Sequence, residues 1–425
     1  MSVATYHTEV QQREQPRLNL HALLAGNDRR DGLLQALDLT GREDSALRQA
    51  RRDIRQTLRK AGRHLDVVFA EASEVLSSRV PLRMRKHMSD VLVEPRFLTQ
   101  GSFAYRTLNR GCHMPPQEID LDDGVYFPTS FFENGEPWLL ALGMFAFVER
   151  SLLALCRERG WSIDTSKDTC VRIHLNHGLR AHIDLPLYAI PDAEFARLQK
   201  DVASMYGRAV EALASFSEAI DQYPRILRID PERVMLAHRK WGWIASDPRR
   251  VNDWARETVA FHGERIRRVW RYAKAWRDFQ WQASEMKSIK IMAAIAEAYE
   301  MRDDTPVKGR DDLELLAVVE LLPEILGGRI VNPAEPSTYF EPCQPEHLLE
   351  FRSRMMVLAS ALSDAIYRTH YTEIAVRTLR AQFGDRVPDD LLMVKVRREE
   401  VEAPRATAPA AVYAAAPLVT RATSG

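Results

Sequence analysis

Two periods of hydrophobic and polar positions run along the chain, and the predicted architecture changes where one gives way to the other. Residues 1–40 are polar and weakly patterned. From Asp44 to about Leu76 apolar residues recur at helical spacing. VEPRFLTQ reads as a short apolar strand, broken at Gly101-Ser102 before helical spacing resumes in FAYRTL. QEIDLDDGVYFP alternates apolar and acidic residues, the two-residue period of a strand. Residues 137–159 (PWLLALGMFAFVERSLLALCRER) predict a long, mostly buried helix with proline in its first turn. CVRIHLN and LRAHIDLPLYAIP read as two further strands. From about Asp192 to Gly384 helical spacing dominates, most clearly in VNDWARETVAFHGERIRRVWRYAKAWRDF. Residues 401–425 are rich in Ala, Pro and Thr, have no core-forming period and predict a flexible tail.

The elements predict an α+β protein in two lobes. A lead-in and basic helix occupy 1–64, a sheet-and-helix lobe 65–190, a helical lobe 191–400 and the tail 401–425. Hydrophobic residues at 45% and charged residues at 28% fit a globular protein with a substantial core. The 59 basic and 59 acidic side chains cancel, which disfavours a protein that coats nucleic acid. No apolar run reaches the roughly 18 residues of a membrane helix, and MSVATYHTEVQQREQPR lacks a signal-peptide core. A cytoplasmic protein, with no membrane partner, is the expectation. Cys112, Cys156, Cys170 and Cys343 contain no CxxC pair, so a thiolate zinc site is not expected. Metal chemistry is expected on oxygen ligands.

Candidate chemistry begins at Asp120-Leu121-Asp122. In a strand the two aspartates share a face while Ile119 and Leu121 enter the core. Paired carboxylates repel unless a cation sits between them, and Mg²⁺ prefers such hard oxygen ligands. Taken alone, a DxD at a strand edge is more often a solvated face. In AHIDLPLYAIP the same alternation buries Ile183, Leu185 and Leu187 and turns Asp184 the other way. A carboxylate in so apolar a strand needs a metal or full hydrogen bonding. If the two strands are neighbours, three acids converge and can hold two metal ions. Gln100-Gly101-Ser102 lies just ahead, Ser102 standing 18 residues before Asp120, at a strand-to-helix break where backbone N–H groups can meet phosphate. Glycine-serine on a helix start, then DxD, then a single strand aspartate is the order of nucleotidyl transfer. Asp123 is expected to cap a turn at Gly124, and His182 to stand behind a ligand rather than act as one. Cys112 and His113 have no zinc-spaced companions.

TQGSFAYRTL, EIDLDDGVYFP and AHIDLPLYAIP together resemble the bacterial cGAS/DncV-like nucleotidyltransferases (CD-NTases), most closely the DncV-type cyclic GMP-AMP synthases of anti-phage defence. The resemblance covers about residues 45–390 and implies a polymerase-β-like sheet lobe against a helical lobe, with the active site in the cleft. It implies that Asp120, Asp122 and Asp184 bind two Mg²⁺ ions (Mn²⁺ as an alternative) and that Ser102 contacts the donor triphosphate. Gln100 and Gly101 would stand beside it, and Tyr105 would stack on a base. In AKAWRDFQW and EMKSIKIMAAI, Lys274 and Ser288 are 14 residues apart, as in similar enzymes where such a pair holds the triphosphate tail. From its Arg-rich neighbours alone, Arg265, Arg267, Arg268 and Arg271, Lys274 would be placed on a solvated face. Arg172 resembles a base-selecting arginine, and Asn332 falls where several relatives carry an aspartate.

The implied activity joins ATP and GTP into 3′,3′-cyclic GMP-AMP with pyrophosphate release. Alternatives are another cyclic di- or trinucleotide, a linear oligonucleotide, or a catalytically silent nucleotide-binding protein. Activation by nucleic acid is not expected. The basic stretch 46–64, with seven Lys/Arg against one Asp, reads as the wet side of an amphipathic helix. Thr423-Ser424-Gly425 resembles the endings of relatives joined through a C-terminal residue by an E1–E2-like partner, which implies conjugation at Gly425.

Overall fold

The computed structural model describes residues 15–62, 94–129, 137–176, 179–196, 234–246, 248–302 and 307–397. Gly425 and the rest of the tail lie outside them, as do residues 63–76 of the expected long helix.

The sheet lobe is built on strands β2 (Arg96–Gln100), β3 (Ile119–Pro128), β4 (Ser162–Asp164), β5 (Cys170–Leu175) and β6 (Ala181–Ile190), in the order β2-β3-β6-β5-β4. β3 and β6 run parallel, whereas β2–β3 and β5–β6 are antiparallel. The far end of β6 also pairs with β7 (Met235–His238), which turns back through β8 (Gly242–Ala245). The central strands have the apolar runs expected of sheet buried on both faces. Ile119, Leu121, Ile183, Leu185 and Leu187 are fully buried under the helices on one face, and Tyr126 stacks on Tyr188 on the other.

Helix α3 (Gly41–Gly62), preceded by the short helices α1 (His21–Ala25) and α2 (Leu33–Ala36), begins at a reciprocal cap. Thr40 N donates to Glu43 at 2.9 Å and Glu43 N to Thr40 Oγ1 at 3.2 Å, which satisfies donors the helix leaves free. Leu47, Ala50, Ile54 and Leu58, at three- and four-residue spacing, seat it on the sheet core beside α5 (Pro137–Arg159). One helical turn, α4 (Gly101–Ala104), separates β2 from the loop that leads to β3. The helical lobe comprises α6 (Pro248–His262), α7 (Glu264–Gln280), α8 (Ser288–Glu300), α9 (Asp311–Ile325), α10 (Pro345–Ser363) and α11 (Thr372–Phe383) around Trp270, Trp276, Phe351 and Phe383.

The lobes divide differently from the expected boundaries. Residues 18–37 pack in the helical core, and β1 (Leu18–Asn19) pairs with β9 (Lys395–Val396). The basic helix belongs to the sheet lobe. β7 and β8 lie in the stretch expected to be helical, because strands of four residues are too short to reveal their period.

The basic helix is not simply wet on its polar side. Arg51 is buried and donates to Thr99 Oγ1 at 3.0 Å. Arg55 grips the fully buried Asp123 with two nitrogens, and its Nε lies 2.6 Å from Oδ2. Asp123 therefore anchors α3 to β3; it caps no turn, because β3 continues unbroken through Gly124 to Pro128.

Candidate active site

Parallel pairing sets Asp122 opposite Asp184 and Asp120 opposite His182. This register follows from burying Ile119, Leu121, Ile183 and Leu185 together, since a one-residue slip would turn all the acids inward. Ligand atoms of Asp120, His182 and Asp184 lie within 4.8 Å of one another. Burial, with the Asp120 and Asp184 charges beside it, pushes the Asp122 carboxyl up to about 7. Asp120 Oδ1 is buried and faces His182 Nε2 at 3.0 Å. Three oxygen donors, one of them held back from ionising by burial and by its neighbours, fit a hard divalent cation.

Above the acids a cavity of about 700 Å³ opens between the lobes. Asp120, Asp122 and Arg172 line it from the sheet, Gly101, Ser102 and Tyr105 from the turn after β2, and Lys274 and Ser288 from the helical lobe. Gly101 has φ +65°, and a Cβ there would stand 1.8 Å from Asp122 Oδ2, so only glycine lets the turn close over that carboxylate. Burial pushes the Tyr105 hydroxyl up, with Asp122 adding to it.

Lys274 is buried, not on a solvated face, and its Nζ donates to the carbonyl of Thr107. Burial and the nearby Arg277 lower its pKa to about 7. Its arginine neighbours are engaged elsewhere: Arg268 with Asp311, Arg271 with Asn109 and Asp38, and Arg267 with the Tyr105 carbonyl. Ser288 opens α8 and accepts from Arg277 at 2.9 Å.

Two expected contacts, Gln100 and Asn332, stand outside the cavity lining, and Arg172 is engaged within it. Arg172 lines the cavity but is held by Asp184 in a two-pronged pair, each N–O distance 2.7 Å, across the β5–β6 register. Carboxylate oxygens keep further lone pairs for a cation. Gln100 points into the sheet between the hydroxyls of Tyr126 and Tyr188, at 2.9 and 3.2 Å, so it supports the turn rather than lining the cavity. Asn332 is outside the cavity lining, and its Oδ1 accepts from Ala334 N at 3.0 Å to close a turn.

The residue reading missed Arg277, Asp278, Gln117 and Glu118, all of which line the cavity. Arg277 and Asp278 follow Lys274 by three and four residues, the spacing of one helix face, which was a usable signal. Gln117 left none. Its Oε1 accepts from Cys112 N and His113 N, while its Nε2 reaches the carbonyls of Asp278 and Trp281 at 2.7 and 3.0 Å across the cleft. His182 faces Asp120 through Nε2 at 3.0 Å and Glu118 through Nδ1 at 2.8 Å. Burial opposes its protonated form, but Asp120 outweighs that and raises its pKa.

Comparison with known proteins agrees with this geometry. Residues 95–188 match the nucleotidyltransferase domain of the cyclic GMP-AMP synthase DncV-like family, and residues 263–396 match the cyclic GMP-AMP synthase C-terminal domain. A cyclic GMP-AMP synthase of Vibrio cholerae is 31% identical over 416 residues, covering 86% of this chain and 91% of the relative. One from Escherichia coli is 29% identical over 403 residues, with the same coverage, 86% and 91%. The crystal structure of the Vibrio cholerae DncV cyclic AMP-GMP synthase with a linear intermediate superposes with a TM-score of 0.72 at 26% identity, over 91% of this chain and all of that one. No helix among the described residues is long and apolar enough to cross a membrane.

Proposed function

This chain belongs to the DncV-like family of nucleotidyltransferases, and from that premise we propose that it joins ATP and GTP into 3′,3′-cyclic GMP-AMP for anti-phage signalling. The observation that supports the proposal is the β3–β6 register, which sets Asp184 beside Asp122 and leaves Asp120 and Asp122 on the floor of a cleft roofed by Lys274 and Ser288. The relatives named above are cyclic GMP-AMP synthases, which supports the choice of product.

In each of two rounds the acceptor 3′-hydroxyl attacks the donor's α-phosphorus. The new P–O bond forms as the α–β bridge breaks, and pyrophosphate leaves with the electron pair. Asp184 takes the hydroxyl proton. Asp120, Asp122 and Asp184 would hold two Mg²⁺ ions, which supply charge neutralisation and a more acidic acceptor hydroxyl. Lys274, Arg277 and Ser288 fix the β- and γ-phosphates, and the backbone after Gly101, with the Ser102 hydroxyl, meets the donor phosphates from the sheet side. Tyr105, at the same wall, offers a face for a base. After the first round the linear product turns over in the cleft and closes.

Incubation with all four NTPs and Mg²⁺ or Mn²⁺, then mass spectrometry of phosphatase-resistant products, tests this. Cyclic GMP-AMP as the main product is expected. A different ring or a linear oligonucleotide would overturn the substrate assignment, and nucleotide binding without turnover would make the chain a silent binder.

A further inference from the structure

Next to the acids, on the other side of His182, stands a cluster that nucleotidyl transfer does not use. His174 on β5 and His182 on β6 are cross-strand partners, with ring centroids 5.8 Å apart and the rings edge to face. Glu118, just before β3, brings one carboxylate oxygen to 2.8 Å from His182 Nδ1 and 3.3 Å from His174 Nδ1. One ligand atom of each of the three lies within 4.8 Å of the others. Zinc–nitrogen bonds of about 2.0–2.1 Å in a tetrahedron put ligand atoms roughly 3.4 Å apart, so these groups need only small shifts to enclose an ion. His182 Nε2 and Asp120 Oδ1, both buried, face each other at 3.0 Å. That is how a metal-bound imidazole is held: one nitrogen on the ion, the other N–H given to a carboxylate.

We infer that Glu118, His174 and His182 form a site for a divalent transition ion of the zinc class, distinct from the hard-cation site at the three aspartates, and that filling it restrains Asp120. Two imidazoles and one carboxylate favour Zn²⁺, Co²⁺ or Ni²⁺ over Mg²⁺. The His174 side chain is 30% exposed and lies outside the lining of the nucleotide cavity, so an ion can arrive from its side. With the ion on Nδ1, the ring proton is confined to Nε2 and donated to Asp120 Oδ1. That oxygen is then less available to the catalytic cations, so the ion inhibits turnover. The inhibition rests on the cyclase reading; the binding does not.

The test uses the full chain with ZnCl₂ or CoCl₂ as the only added metal, read by calorimetry and by the visible absorption of Co²⁺, then repeated in excess MgCl₂. One ion per chain, retained in Mg²⁺, is expected. His174→Ala and Glu118→Gln should each weaken binding at least tenfold, the scale on which ligand-shell changes act. Asp184→Asn should leave it within about threefold. The Zn²⁺ concentration that halves cyclisation should rise about tenfold in His174→Ala, whose zinc-free rate equals wild type. Equal affinity in wild type and His174→Ala overturns the site. So does loss of binding in Asp184→Asn, which would mean that zinc only competes for the three aspartates. If no variant cyclises, the binding measurements still decide.

Discussion

Replacing Lys274 with methionine keeps the length of the side chain and removes its amine. In the nucleotide-free protein that amine is buried, and burial together with Arg277 lowers its pKa from 10.5 to about 7. The unfolded chain holds the proton up to the higher value, so between these limits it binds more protons than the folded one. Wild-type stability should therefore rise as pH goes from about 7 toward 10, and the burden on the fold is greatest at or below 7. A shift of this size corresponds to at most ~4–5 kcal/mol, against which stands ~1–2 kcal/mol for leaving the Thr107 carbonyl without its donor. The burial cost wins, so Lys274→Met should be more stable than wild type at pH 6.5 by ~2 kcal/mol or more, with the gain vanishing near pH 10. Function moves the other way. Loss of a charged donor to the triphosphate costs ~1.5–3 kcal/mol, a rise in KM of about 10–100-fold with kcat less affected. Thermal denaturation at pH 6.5 and 9.5 without nucleotide, with steady-state kinetics, reads both effects. A variant less stable than wild type at pH 6.5, or shifted equally at the two pH values, would refute the reasoning.

Asp120→Ala combined with Asp122→Ala should abolish synthesis with no loss of melting temperature, because it relieves the burial and mutual repulsion that raise the Asp122 carboxyl; cyclic product at the wild-type rate would remove the metal-site assignment. Gly101→Ala should cut kcat by about 100-fold, since its Cβ must displace the Asp122 carboxylate or shift the turn by about 1 Å; product formation rates check it. Arg55→Met should destabilise by ~3 kcal/mol in urea denaturation, because Asp123 is left buried with its charge unpaired. Double-stranded DNA should not stimulate product formation, since Arg51 and Arg55 are committed to Thr99 and Asp123; a tenfold stimulation that fades with salt would contradict this.

The acids were legible because strand alternation is strict: once Ile119, Leu121, Ile183 and Leu185 are assigned to the core, the faces of Asp120, Asp122 and Asp184 follow. Asp123 was misread for the same reason, since alternation sends it to the far face but cannot tell that Arg55 comes from 68 residues earlier to meet it. Long-range partners leave no local period. Lys274 shows the converse: its neighbours are basic, yet each finds an acid or a carbonyl on another element, so a helix face that looks wet is packed against its surroundings. Gln117, whose work is done by both ends of one amide, offers no pattern at all.

The pairing of β1 with β9 has a bearing on how the molecule is made. Leu18, Leu20, Leu23 and Leu24 leave the ribosome long before other members of their core, among them Ile266, Leu315 and Val394. The sheet lobe, complete once β8 has been made, can condense while synthesis continues, whereas residues 18–24 must wait until residue 396 has been made. Their four leucines stay exposed for that interval. Lys395–Val396 joins residues made early to residues made late, so a nascent protein cut short before that point would leave Leu18–Asn19 without their partner strand.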